Sequence, residues 1–247
     1  MVISFGKSLN IFMISSLLVL AGCQNLDSTE SESNTPKSTE EESSNTTEQV
    51  STEQEVESDH EHSHAHDEES EKIYKGYFDD SQVEDRSLSD WEGDWQSVYP
   101  YLQDGTLDEV FARKAENGDM TAEEYKEYYN KGYQTDVERI VIQGDNVTFY
   151  KSDGEYSGKY IYDGYEILTY EAGNRGVRYI FKVAKDVKGL PKYIQFSDHS
   201  IYPTKAGHYH LYWGDDRQAL LEEVTNWPTY YPSDMDGHDI AHEMMAH

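Results

Sequence analysis

Seven short segments between Val137 and Trp213 alternate apolar and polar side chains, and most are separated by tight-turn residues. They are Val137–Gln143, Val147–Lys151, Glu155–Tyr162, Tyr165–Glu171, Val177–Ala184, Lys192–Asp198 and Gly207–Trp213. Between them stand Gly144-Asp145-Asn146, Ser152-Asp153-Gly154, Asp163-Gly164 and Gly173-Asn174-Arg175-Gly176, the residue types that two- to four-residue hairpin loops require. A period of two places alternate side chains on opposite faces of a strand. Connections this short join antiparallel neighbours, because parallel strands need a long crossover. A meander of seven strands avoids exposed edges best by curling closed. The predicted fold class is therefore mainly β, an antiparallel β-barrel with flanking α-helices.

The helices are read from a different period. Leu107, Val110, Phe111 and Lys114 recur at helical spacing. Thr121-Ala122-Glu123-Glu124 has the form of a capping box, opening a helix in which Tyr125, Tyr128 and Tyr129 share a face and Gly132 can end it. Trp91 and Trp95 stand four apart and suggest one helix face, although Gly93 between them weakens a helix. Gln218, Ala219, Leu220, Leu221 and Val224 predict a further helix, broken by Trp227-Pro228-Thr229-Tyr230-Tyr231-Pro232, and Ser233 to His247 predicts the last.

The core has to come from part of the chain only. No Phe, Trp or Tyr occurs from Gln24 to Glu71, whereas all 21 Tyr and all four Trp follow. Residues 72–247 are read as one globular domain, long enough to bury most of its apolar surface. Residues 1–22 carry an early Lys7, the apolar run Ile11–Leu20 and then Ala21-Gly22 before Cys23. That order looks like a bacterial lipoprotein signal, with cleavage before Cys23 and lipid on its sulfur. Cys23 is the chain's single cysteine, so no intrachain disulfide and no thiolate metal site can form in the folded part. Residues 23–71 are read as a lipid-anchored, disordered acidic tether with little to bury. Its 48 residues after Cys23 would span roughly 40 Å as a flexible coil.

Within the tether, His60, His62, His64 and His66 alternate with other residues and are flanked by carboxylates, a compositional sign of a weak accessory metal-binding tract. The net charge of -29 argues against nucleic acid, whose binding needs clustered cations, and fits a solvated acidic protein that attracts cations.

The strongest metal-ligand pattern lies between Asp198 and Gly214. His208 and His210 are two apart on one strand and so share a face, while His199 ends the preceding strand across a turn of Ser200–Ala206. One antiparallel turn can bring the three imidazoles together, and three His ligands can hold zinc at about 2.0–2.1 Å with a fourth position open. His238 and His242, four apart on the last helix, have a spacing that can also bind metal but are read as a solvent-facing helix end.

The block F-S-D-H-S-I-Y-P-T-K-A-G-H-Y-H-L-Y-W-G (Phe196–Gly214), with W-P-T-Y-Y-P (Trp227–Pro232), the ending E-M-M-A-H (Glu243–His247) and D-W-E-G-D-W-Q-S-V-Y-P-Y-L (Asp90–Leu102), closely resembles the ZinT (YodA-like) zinc-binding family. The resemblance covers residues 72–247. It implies a lipocalin-like (calycin) barrel working outside the cytoplasm; the signal ending at Cys23 is expected to anchor it by lipid alone to the cell membrane of a Gram-positive bacterium. It implies zinc capture under scarcity in support of an ABC-type zinc importer, with His199, His208 and His210 as principal ligands and His247 as a candidate secondary one. In Gram-positive bacteria a similar domain is also fused to the importer's solute-binding subunit. Nothing before Lys72 reads as such a subunit, so a separate partner is expected.

Histidine must lose its proton to bind metal, so affinity is expected to fall below about pH 6.5. Copper, nickel and cobalt are expected to bind the same imidazoles in vitro, and cadmium is implied by the resemblance. A non-enzymatic role is expected. The alternatives are a zinc-dependent hydrolase using the three-His site and a lipocalin-like carrier of a small apolar ligand.

Overall fold

The computed structural model describes residues 68–170 and 173–246. The leader, Cys23, residues 24–67 of the tether with His60, His62, His64 and His66, and His247 lie outside the described residues; the last four residues read as disordered tether, Glu68 to Glu71, are instead helical. Eight strands form one closed barrel in sequence order: β1 Gly93–Ser97, β2 Val137–Gln143, β3 Asn146–Lys151, β4 Gly154–Thr169, β5 Arg175–Val183, β6 Tyr193–Ser197, β7 Tyr209–Gly214 and β8 Thr229–Pro232. Every neighbouring pair is antiparallel, and β1 closes on β8 through Trp95↔Pro232, Gln96↔Tyr231 and Ser97↔Tyr230. The predicted hairpin residues Gly144-Asp145 and Ser152-Asp153 join β2 to β3 and β3 to β4.

Three expectations about the strands are corrected. The pair Trp91 and Trp95 does not sit on one helix: Leu88–Trp91 is a 3-10 turn and Gly93–Ser97 is strand β1. The four-residue spacing reflects contact across that corner, where the Trp95 Nε1–H donates to the Trp91 carbonyl at 2.8 Å. Asp163-Gly164 is no hairpin either. Both halves of β4 pair with the same strand, Tyr160↔Val183 on one side and Tyr165↔Tyr179 on the other, with the register shifting between Tyr162 and Tyr165. Gly164 has φ 94, and a bulge draws on the same residue types as a tight turn. Thr229–Pro232, read as a helix breaker, is strand β8, with prolines only at its end and just before it, where the ladder needs no donor.

The period of two now explains two cores. Inward residues such as Trp91, Phe149, Tyr179, Phe181, Phe196 and Tyr209 are at most 2 % exposed and fill the barrel. Each contributes roughly 1.5–3 kcal/mol of burial. The outer face of β8 presents Tyr231 to a second cluster of Val98, Leu102, Leu107, Phe111, Tyr133, Ile240 and Met244. That cluster is supplied by α2 (Tyr99–Gln103), α3 (Asp108–Asn117), α4 (Ala122–Tyr133) and α6 (Gly237–Ala246). Residues 68–74 form α1 and Arg217–Glu222 form α5.

The capping box opens α4 as predicted: the Glu124 N–H donates to Thr121 Oγ1 at 3.2 Å and the Thr121 N–H to Glu124 Oε2 at 2.8 Å. Gly132 lies inside α4, one residue before its end, and serves close packing rather than a stop, since a Cβ there would stand 2.3 Å from the Trp227 ring. Among the described residues no helix is long and apolar enough to cross a membrane.

Candidate metal centre

β6 and β7 pair up to Ser197↔His210, and residues 198–208 connect them. On β7, Tyr209 and Leu211 point into the barrel. His210 therefore points out, and His208, one residue before the strand begins, lies on the same side. His199 follows β6 with φ 64, and is the one residue other than glycine with positive φ among those described. That left-handed turn of the backbone brings its ring to the other two. Ring centroids lie 5.5 Å apart for His199 and His210, and 6.1 Å apart for both other pairs.

One ring nitrogen from each of the three lies within 4.8 Å of the others. Two nitrogens bound tetrahedrally to one zinc stand roughly 3.3 Å apart, so small side-chain rotations complete convergence. Three neutral imidazoles without a thiolate suit zinc and also accept other late first-row ions.

Each imidazole is braced differently. The His199 ring stacks on Tyr74 at the end of α1, centroids 4.5 Å apart, and the His208 ring stacks on Tyr231 of β8 at 5.1 Å. His210 Nδ1 lies 2.8 Å from Thr229 Oγ1, and that hydroxyl donates its one hydrogen to the Trp227 carbonyl at 2.9 Å. With its hydrogen committed, Thr229 accepts from His210 Nδ1–H. The lone pair of the His210 imidazole is thus on Nε2 and available to a metal. Burial holds His210 well below the usual imidazole pKa, and His199, His208 and Arg178 reinforce the shift. The ring therefore stays neutral and able to ligate at mildly acid pH.

The buried Arg178 lies over the Tyr212 ring, 3.1 Å from its centroid, and donates to the Glu223 carbonyl at 3.1 Å. The centre stands on the outer wall of the barrel, where strands meet the helical layer, and the barrel interior is filled by side chains.

The structure thus brings His199, His208 and His210 together. His238 and His242 are exposed on α6, with His238 Nδ1 3.9 Å from Glu109 Oε1. Sequence reasoning missed Tyr74, Thr229, Tyr231 and Arg86, the last of which pairs with Asp198 beside His199. Tyr231 and Thr229 stand in the W-P-T-Y-Y-P block, where a strand of four residues, with one proline before it and another at its end, gives too little alternation to be read. Arg86 had none, because its partner is 112 residues away.

Comparison with known proteins gives the chain its relatives. Residues 69–247 match the family described as ZinT (YodA) periplasmic lipocalin-like zinc-recruitment. A Bacillus subtilis protein named probable metal-binding protein YrpE is 76% identical over 249 residues, covering 99% of each chain. The zinc-binding protein AdcA of Streptococcus pyogenes is 55% identical over 180 residues, which is 71% of this chain but 35% of AdcA. Among solved structures, the Zn(II)-bound ZinT-like domain of Streptococcus pneumoniae AdcA has a TM-score of 0.69 at 50% identity, covering 70% of this chain and 97% of that domain.

Proposed function

We propose that this chain, which belongs to the ZinT (YodA) periplasmic lipocalin-like zinc-recruitment family, captures zinc outside the cytoplasm and supports its uptake by an ABC-type importer. The observation that carries the reading is the convergence of His199, His208 and His210, with ligand nitrogens within 4.8 Å of one another. His210 is already held in the tautomer that ligates through Nε2.

Zinc is here the cargo. The three imidazoles bind it, and a water or His247 completes the coordination. The relatives named zinc-binding support zinc as the cargo. The tether fits the same role: lipid on Cys23 holds the domain at the outer face of the cell membrane, and His60, His62, His64 and His66 collect exchangeable metal near it. AdcA of Streptococcus pneumoniae, named a zinc-binding lipoprotein, supports a lipid-anchored placement. This chain matches about a third of AdcA's length, and handover of the zinc to a solute-binding subunit is part of the proposal.

The inward side chains of the barrel pack into one buried cluster, which argues against an apolar cargo inside it. Asp198, the carboxylate adjoining His199, is committed to Arg86, which leaves a hydrolase without that general base.

The test is a competition titration of zinc against a chelator, in chains with the four tether histidines replaced by Asn. Binding near one equivalent that His199→Ala, His208→Ala and His210→Ala each weaken supports the reading. Unchanged affinity in all three refutes it.

A further inference from the structure

We infer that Arg86 is a positioning residue for the metal site, clamping the loop that presents His199 through its fork onto Asp198; this rests on the zinc-capture reading above. The Arg86 side chain is fully buried and its guanidinium distributes its donors over one loop. Nη1 donates to Asp198 Oδ1 at 2.6 Å and to the Ser200 carbonyl at 3.4 Å. Nη2 donates to Asp198 Oδ2 at 2.9 Å and to the Thr204 carbonyl at 2.8 Å. Nε donates to Asp90 Oδ2 at 2.8 Å, and that same carboxylate oxygen accepts the Thr204 N–H at 3.2 Å. The guanidinium plane lies 4.2 Å from the Trp91 ring centroid, which fixes its orientation from the barrel side.

The contacted positions 198, 200 and 204 flank His199 and span the connection between β6 and β7. His199 itself is held at φ 64, a conformation that side-chain-bearing residues keep only when their surroundings over-determine it. His210 needs no such device, because β7 and its pairing with β6 and β8 already aim it, and His208, one residue before β7, has its ring stacked on Tyr231.

A buried ion pair is poor evidence for stability as such, since apolar residues of the same volume often do as well. What an apolar replacement cannot supply is a planar fork that fixes a carboxylate and two main-chain carbonyls at once. The clamp therefore serves geometry: with it, three imidazoles meet; without it, the two imidazoles at the start of β7 remain and the third swings away.

Zinc affinity and release into excess chelator are measured on the full chain with the tether histidines replaced by Asn, in a double-mutant cycle of Arg86→Lys and His199→Ala. Arg86→Lys keeps the charge and loses the fork. It is expected to weaken zinc binding by about 10- to 100-fold, the usual effect of removing a group that orients a ligand. In the His199→Ala background the same change is expected to alter affinity less than about twofold. The cobalt(II) absorption of Arg86→Lys should resemble that of His199→Ala.

If Arg86→Lys fails to fold, judged by near-ultraviolet dichroism, Asp198→Asn replaces it, with the same expectations. The inference is overturned if the substitution leaves affinity within about twofold of the parent. It is also overturned if the loss persists undiminished in the His199→Ala background, which would mark Arg86 as a general structural residue. Either outcome leaves zinc capture standing, provided the parent's binding needs the three histidines. A parent indifferent to all three would refute zinc capture, and this inference with it.

Discussion

Removing one hydroxyl at Thr229 should weaken zinc binding more than it disturbs packing. Thr229 is 1% exposed, and its Oγ1 stands between His210 Nδ1 at 2.8 Å and the Trp227 carbonyl at 2.9 Å. Thr229→Val preserves the volume and deletes both bonds, leaving the buried Nδ1–H without an acceptor at a cost of about 1–3 kcal/mol. For a domain of this size, about 1 kcal/mol lowers Tm by roughly 2–4 °C, so the metal-free protein should melt about 2–12 °C lower. The tautomer is released as well, and loss of such an orienting partner lowers metal affinity by about 10–100-fold, or roughly 1.4–2.7 kcal/mol. Competition titration reads the affinity, and thermal unfolding followed by far-ultraviolet dichroism reads the stability. Thr229→Ser, which keeps the hydroxyl, should recover most of the affinity. A Val variant that binds zinc within about twofold of the parent, while melting lower as expected, would show that Thr229 packs without orienting His210, and the tautomer argument would fail.

Other expectations follow from the same geometry. Because the fold holds His210 well below its ordinary value of 6.5, the unfolded chain takes up a proton that the native state refuses, and native stability must fall as pH drops below about 6.5. The Tm of the metal-free domain should decline across that range, and His210→Gln should flatten part of the decline; identical slopes in parent and variant would contradict the assignment. Tyr231→Leu removes the ring stacked on His208 and, at about 0.5–1.5 kcal/mol for an aromatic pair, should weaken zinc binding by roughly 2- to 12-fold in the same titration. Gly132→Ala drives a methyl group toward the Trp227 ring and should destabilise the domain by about 1–3 kcal/mol. Thermal unfolding unchanged by that substitution would mean α4 and the 226–229 segment pack less closely than described.

Much of the fold could be read from local patterns, and the misreadings share a cause. The capping box at Thr121 and the hairpins at Gly144 and Ser152 depend on residues within a few positions of one another, so their chemistry is visible in the chain. β1 and β8 are the shortest strands apart from β6, at five and four residues, too short for alternation to outweigh a helical Trp spacing or a pair of prolines. What makes them strands is each other, since each completes the barrel by pairing with a segment more than a hundred residues distant. The Asp163-Gly164 bulge was ambiguous for the opposite reason. Its residues suit a turn and a bulge equally, and only the long partner strand β5 chooses between them.

By itself the sequence determined the chemistry of the centre: three imidazoles, no thiolate in the folded part, and a His-x-His whose period of two puts both rings on one face. The side of the barrel on which those rings stand, and what holds them, were decided by tertiary structure. Outward His210 meets Thr229 from the neighbouring strand, His208 meets Tyr231, His199 meets Tyr74, and Arg86 pins the loop. A ligand's identity is a property of one residue. Its aim and protonation depend on groups that only folding brings within a few ångströms, where a dry surround gives a single hydrogen bond or ion pair enough strength to fix them.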